Sequence, residues 1–130
     1  MKKIFFACVI VTSTVFSLEW VKDIPTAFAL AKQDHKMVMV YVEGETCRWC
    51  KKMKHRTLED SLVEKELANL IVVKVFQEDS EAMASLPKVD GVPTTFFMNE
   101  EKKVFGEVLG YSSVDEFLDS LKQATTATTK

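Results

Sequence analysis

The chain has 130 residues, 47% of them hydrophobic, with a formal charge of −2 and three cysteines. That length supports one core with more than half of the chain's surface buried, and it leaves no room for a second domain. A slightly acidic balance with no long basic run argues against nucleic acid as a partner, and so few cysteines argue against a small scaffold stapled by disulfides.

Residues 1–17 read as a secretory signal. Lys2 and Lys3 supply the positive end, Ile4 to Phe16 the apolar stretch, and Val15-Phe-Ser17 a small-residue cleavage pattern, with the cut placed after Ser17. The apolar run falls well short of the roughly 20 residues that cross a bilayer. Cys8 lies inside this segment and leaves with it, so the exported domain, residues 18–124, keeps two cysteines and is expected to be monomeric.

After Trp20, Asp23 can cap a helix that has Pro25 in its first turn, Ile24, Phe28 and Ala31 at helical spacing, and His35 at its end. A histidine there suits the helix dipole better than a catalytic role. Met37 to Glu43 is short, apolar and β-branched, as expected of a strand buried on both faces. Lys51 to Arg56 carries five basic residues in six positions and reads as a solvated helix face. Ser61-Leu-Val-Glu64 matches a capping box for a short helix, followed by a strand from Ile71 to Phe76. Glu78 to Ser85 suggests a helical turn or two. Pro93 opens a second run of strand formers ending at Met98, and the polar turn Asn99 to Lys103 leads into Val104 to Leu109 as an antiparallel hairpin. Ser113-Val-Asp-Glu116 is another capping box, opening a helix with Val114, Phe117, Leu118 and Leu121 in register; residues 125–130 read as a flexible, threonine-rich tail.

Chemistry concentrates in Glu45-Thr-Cys-Arg-Trp-Cys-Lys51. If Cys47 lies in the first turn of a helix, free backbone N–H groups and the positive dipole end favour its thiolate, and Cys50, one turn on, faces the same side. Haem attachment requires histidine after the second cysteine, where this chain has Lys51. Zinc requires four ligands, and His55 lies too far along the helix to join both thiolates. A purely structural disulfide would close too small a loop to restrict the unfolded chain much. Redox exchange is the expected chemistry, Cys47 as nucleophile and Cys50 as resolving thiol, with no metal and no cofactor.

The order of elements, the cysteine pair and Gly91-Val-Pro-Thr94 together resemble the thioredoxin fold, closest to small secreted thioredoxin-like proteins and to the C-terminal periplasmic domain of the reductant transporter DsbD. The resemblance implies an α/β thioredoxin-like fold with a mixed sheet of about four strands flanked by helices. It also implies a cis Pro93, with Val92, Pro93 and Thr94 binding substrate, and a periplasmic thiol–disulfide oxidoreductase acting on protein or small-molecule disulfides. A reductase in an oxidising compartment further implies a membrane thiol electron donor of the DsbD type. Arg48 and Trp49, between the cysteines, depart from the Gly-Pro of thioredoxin proper and are expected to tune the redox pair. The family's buried carboxylate falls at Tyr41; Glu43, two residues on, could replace it, although a glutamate at the strand's end reads first as an exposed loop-edge residue. A disulfide oxidase or isomerase using the same pair, and a redox-inert binding module of the same fold, are the alternatives.

Overall fold

The computed structural model describes residues 9–12 and 17–129, so most of the expected signal segment lies outside the described residues. Five strands form one sheet: β1 (Trp20–Val21), β2 (Val38–Glu43), β3 (Ile71–Phe76), β4 (Thr94–Met98) and β5 (Val104–Leu109), in the spatial order β1-β3-β2-β4-β5. β1 and β2 run parallel to β3, whereas β4 is antiparallel to β2 and β5 to β4. The sheet thus has one strand more than the sequence pattern suggests, because β1 is two residues long and too short to show a period.

All six residues of β2 are buried, since strands flank it on both sides and helices cover both faces. Side chains alternate along it. Val38, Val40 and Val42 pack with Val73, Val75, Phe96 and the helix α1 (Ile24–Asp34) through Ile24, Ala27, Phe28 and Ala31. Met39 and Tyr41 point the other way, into a cluster with Met53, Leu58, Phe97, Phe117 and Leu121. That second face is covered by α2 (Arg48–Met53), α3 (Ser61–Leu67) and α5 (Val114–Thr128), while the short α4 (Ser80–Ala84) lies between β3 and β4 in the chain.

The helix ends follow their capping chemistry with two differences. Asp23 caps α1 through the Thr26 N–H (2.8 Å), and His35 closes it in the left-handed region (φ 52°). The cap of α3 is Asp60, not Ser61: its carboxylate accepts from Leu62 N–H at 2.9 Å, which moves the start of the pattern back by one residue. Ser113 and Glu116 form the reciprocal box that opens α5, and the hydrogen bonds from Ser113 to the Glu116 carboxylate hold its pKa below the ordinary value. α5 then continues through Thr128, beyond the tail boundary at residue 125 read from the sequence. Its threonines return hydrogen bonds to the helix, Thr126 to Lys122 and Thr128 to Thr125 (2.7 Å each), so their hydroxyls are paired within it.

Phe117 anchors α5, fully buried and edge-on to Phe97 with centroids 5.7 Å apart. Phe117→Ala should cost about 3–5 kcal/mol of stability, read from urea unfolding, because a cavity would open where helix and sheet meet.

Candidate active site

β2 ends at Glu43, and at Gly44 the chain turns toward α2. A Cβ at Gly44 would lie 3.3 Å from the Cys47 Cβ, 3.5 Å from a Val92 methyl and 3.0 Å from the Gln77 amide, so the absence of a side chain lets three segments meet. Cys47 is the N-cap of α2, with extended backbone (φ −114°, ψ 106°), and its sulfur accepts from the Cys50 N–H at 3.1 Å. Cys47 is half-buried and Cys50 is 1% exposed; the two are disulfide-bonded, their Cα atoms 5.2 Å apart. The outer sulfur is thus the accessible one.

Behind the pair, Tyr41 donates its buried hydroxyl to the Cys50 carbonyl at 2.9 Å. Burial pushes the Tyr41 phenol well above its ordinary pKa, the Glu43 charge adding to the effect, so this tyrosine remains a neutral donor. Glu43 is 3% exposed, which corrects the expectation of a loop-edge carboxylate. β2 continues to pair through this residue, opposite Phe76, and the helical segment after Cys50 covers it. Lys54 compensates the buried charge, its ammonium 3.1–3.2 Å from the two carboxylate oxygens. The lysine reaches Glu43 from a cleft of about 260 Å³ lined by Ser17, Leu18, Trp20, Leu58, Glu59 and Glu64.

The basic segment is therefore only partly a solvated face. After Met53 the helix widens into a π-helical turn, Lys54–Leu58, with Glu59 N–H bonded to the Lys54 carbonyl at 2.9 Å. Thr57 and Leu58 are buried, and the Thr57 hydroxyl donates to the Ser112 carbonyl (2.6 Å), tying α2 to the loop before α5. His55 stays exposed beside Glu59 (3.2 Å), and His35 remains a helix-end residue. Among the described residues no cluster of three or more His, Cys, Asp or Glu side chains could hold a metal ion.

The Val92–Pro93 peptide bond is cis, and Val92 lies against Gly44, next to Cys47. Pro93 is buried, and its carbonyl accepts from the N–H of Gly110, whose positive φ (85°) favours a glycine. Thr94 is buried within the sheet, paired with Val42 and Leu109, and its hydroxyl closes the loop onto the Gly91 carbonyl at 2.6 Å. Arg48 is exposed at the first turn of α2. Trp49 is 48% exposed and tilted against Tyr111 (5.8 Å), with the Lys52 ammonium 4.4 Å from its ring centroid and 4.8 Å from that of Tyr111. Lys52, Lys54 and Tyr111 escape a reading of the sequence. Tyr111 comes from the far end of the chain, and nothing local marks it; the only signal for Lys54 is its spacing of one helical turn from Cys50.

The model of the thioredoxin-like domain family matches residues 24–125. The chain belongs to this family. Among solved structures, this thioredoxin-like protein is similar to the DsbH oxidoreductase (25% identity, TM-score 0.73, covering 84% of this chain and 85% of that one). It is also similar to a thioredoxin from Thermus thermophilus (31% identity, TM-score 0.71, 84% and 88% covered). The C-terminal domain of Neisseria meningitidis DsbD in its oxidised form shares the fold at 20% identity and TM-score 0.65, with 77% and 90% covered. No curated protein matches the sequence. Family membership and the Cys47–Cys50 pair support a thiol–disulfide oxidoreductase.

The Glu43–Lys54 pair gives a test of how the site is held. Lys54→Met strands a buried carboxylate and should cost about 1–3 kcal/mol in denaturant unfolding, while Glu43→Gln combined with Lys54→Met should recover part of that loss.

Proposed function

We propose that this protein is a periplasmic thiol–disulfide oxidoreductase that reduces disulfides in exported proteins. The observation that carries the reading is the pairing of a half-buried Cys47 sulfur, held at a helix N-cap by the Cys50 N–H, with a buried Cys50 one turn behind it. In the reduced protein, the Cys47 thiolate attacks one sulfur of a partner's disulfide, forming a mixed disulfide and releasing the other sulfur as a thiolate that takes up a proton. Cys50 then loses its proton and attacks the Cys47 sulfur. The second partner thiol leaves, the Cys47–Cys50 bond closes, and two electrons have passed from the pair to the partner. No cofactor enters the cycle.

Val92 supplies the docking edge in this reading. It borders Cys47, and among the described residues neither its N–H nor its carbonyl is hydrogen-bonded, so an extended substrate segment can pair there. Pro93 and Thr94 form the base of that edge. Export rests on the signal-like residues 1–17, and the reducing direction on resemblance to DsbD-type domains, which also implies a membrane dithiol that recharges the pair. Arg48, adjacent to the nucleophile, contributes a positive charge that favours the thiolate. Such a charge also favours the reduced form, so disulfide oxidation is the second reading, and the pair's reduction potential measured against glutathione decides between them. A value more negative than the glutathione couple supports the reductase; a more positive one supports the oxidase.

Cys47→Ser should abolish exchange, whereas Cys50→Ser should accumulate mixed disulfides that nothing resolves, visible as adducts by mass spectrometry under non-reducing conditions. Equal adduct formation by both variants would contradict the assigned roles.

Arg48→Ala should raise the Cys47 thiol pKa and make the potential more negative, followed by thiolate absorbance and by equilibration with glutathione. Identical titrations for the variant and the parent would show that the side chain exerts no field at the sulfur.

A further inference from the structure

The mouth of the site is electrically divided. On one side, Arg48, Lys51 and Lys52 recur at helical spacing along α2. Among the described residues Arg48, Lys51 and Lys52 have no carboxylate within ion-pair distance, although the chain as a whole is acidic. On the other side stand the exposed Glu45 and Glu78, linked where the Glu45 N–H meets the Glu78 carboxylate at 3.3 Å. Apolar surface lies beside the cations, in the Trp49–Tyr111 pair whose rings the Lys52 ammonium faces.

Building on the oxidoreductase reading, we propose that this face selects disulfide-bearing protein segments whose acidic residues flank the disulfide on the α2 side, with an apolar side chain set against Trp49 and Tyr111. Unpaired cations beside the reacting sulfur attract such a segment during approach and repel a basic one, and fixed charges at a cleft mouth act mainly on the association rate. Lys52 serves twice, as one of the cations and as the group that fastens the indole to Tyr111. Glu45 and Glu78 orient the segment, since its acidic end is disfavoured on their side.

The test uses the full chain after reduction by dithiothreitol and removal of the reductant. It is mixed in single-turnover format with three peptides of equal length, each holding one disulfide flanked by aspartates, by serines or by lysines. Peptide thiol is released as the Cys47–Cys50 bond forms. At low ionic strength the aspartate peptide should react about tenfold faster than the lysine peptide, with the serine peptide between them. The gap should close as added salt shortens the Debye length. Lys51→Glu, a reversal at an exposed position, should reduce the ratio of aspartate to lysine rates. Equal rates for the three peptides, or a ratio that neither salt nor Lys51→Glu changes, would overturn the proposal while leaving the oxidoreductase reading intact. Failure to reduce any of the three would overturn this proposal and the reductase reading together.

Discussion

Burial of β2 on both faces is the constraint from which the site follows. A strand in the middle of a sheet, covered by helices above and below, has its direction and register fixed by its neighbours, and this one ends at Glu43, just before Gly44. The cysteines therefore follow directly on a strand whose six residues are all buried. Tyr41, in the same strand, reaches back to hold the Cys50 carbonyl, so strand and helix are joined by a directional bond as well as by packing. Catalysis by thiol exchange requires sulfur atoms placed within a narrow range of geometry, and a core strand supplies that placement better than a loop could.

Buried polarity is concentrated at this junction. Glu43 and its lysine, the Tyr41 hydroxyl, and the Thr57 hydroxyl on the Ser112 carbonyl all lie along or behind the segment running from Cys50 into the π-helical turn. Each replaces simple apolar packing with contacts that have a direction, and directional contacts fix the rotation of a helix where hydrophobic ones permit it to slide. The widened turn fits this pattern: one extra residue in the ladder allows Lys54 to face Glu43 while Thr57 and Leu58 still enter the core.

Much of this was legible in the sequence because it is written in local patterns. The uninterrupted apolar run of β2, the spacing of Cys47 and Cys50, and the hairpin turn at Asn99 to Lys103 each depend on residues close together in the chain. Other features depend on what lies across the fold. Glu43 at a strand's end could have been solvated; pairing with β3 and a lysine eleven residues on bury it instead. Asp60 and Ser61 are both good caps, and only backbone geometry chooses between them. The last turns of α5 contain threonines that taken singly disfavour a helix, yet their hydroxyls bond back to its carbonyls and Ala124 packs into the core. Tyr111 joins Trp49 from beyond the hairpin, a meeting that no window of sequence contains.

The cleft beside Lys54 gives the N-terminal segment a structural duty. Ser17, Leu18 and Trp20 line it together with Lys54, whose ammonium neutralises Glu43, and Trp20 also lies 6.2 Å from the Tyr41 ring. Leu18 and Trp20 thus form part of the wall of the cleft into which the Lys54 side of this ion pair opens. A shift of Leu18 or Trp20 would therefore change how much water reaches the Glu43–Lys54 pair, one helical turn from Cys50.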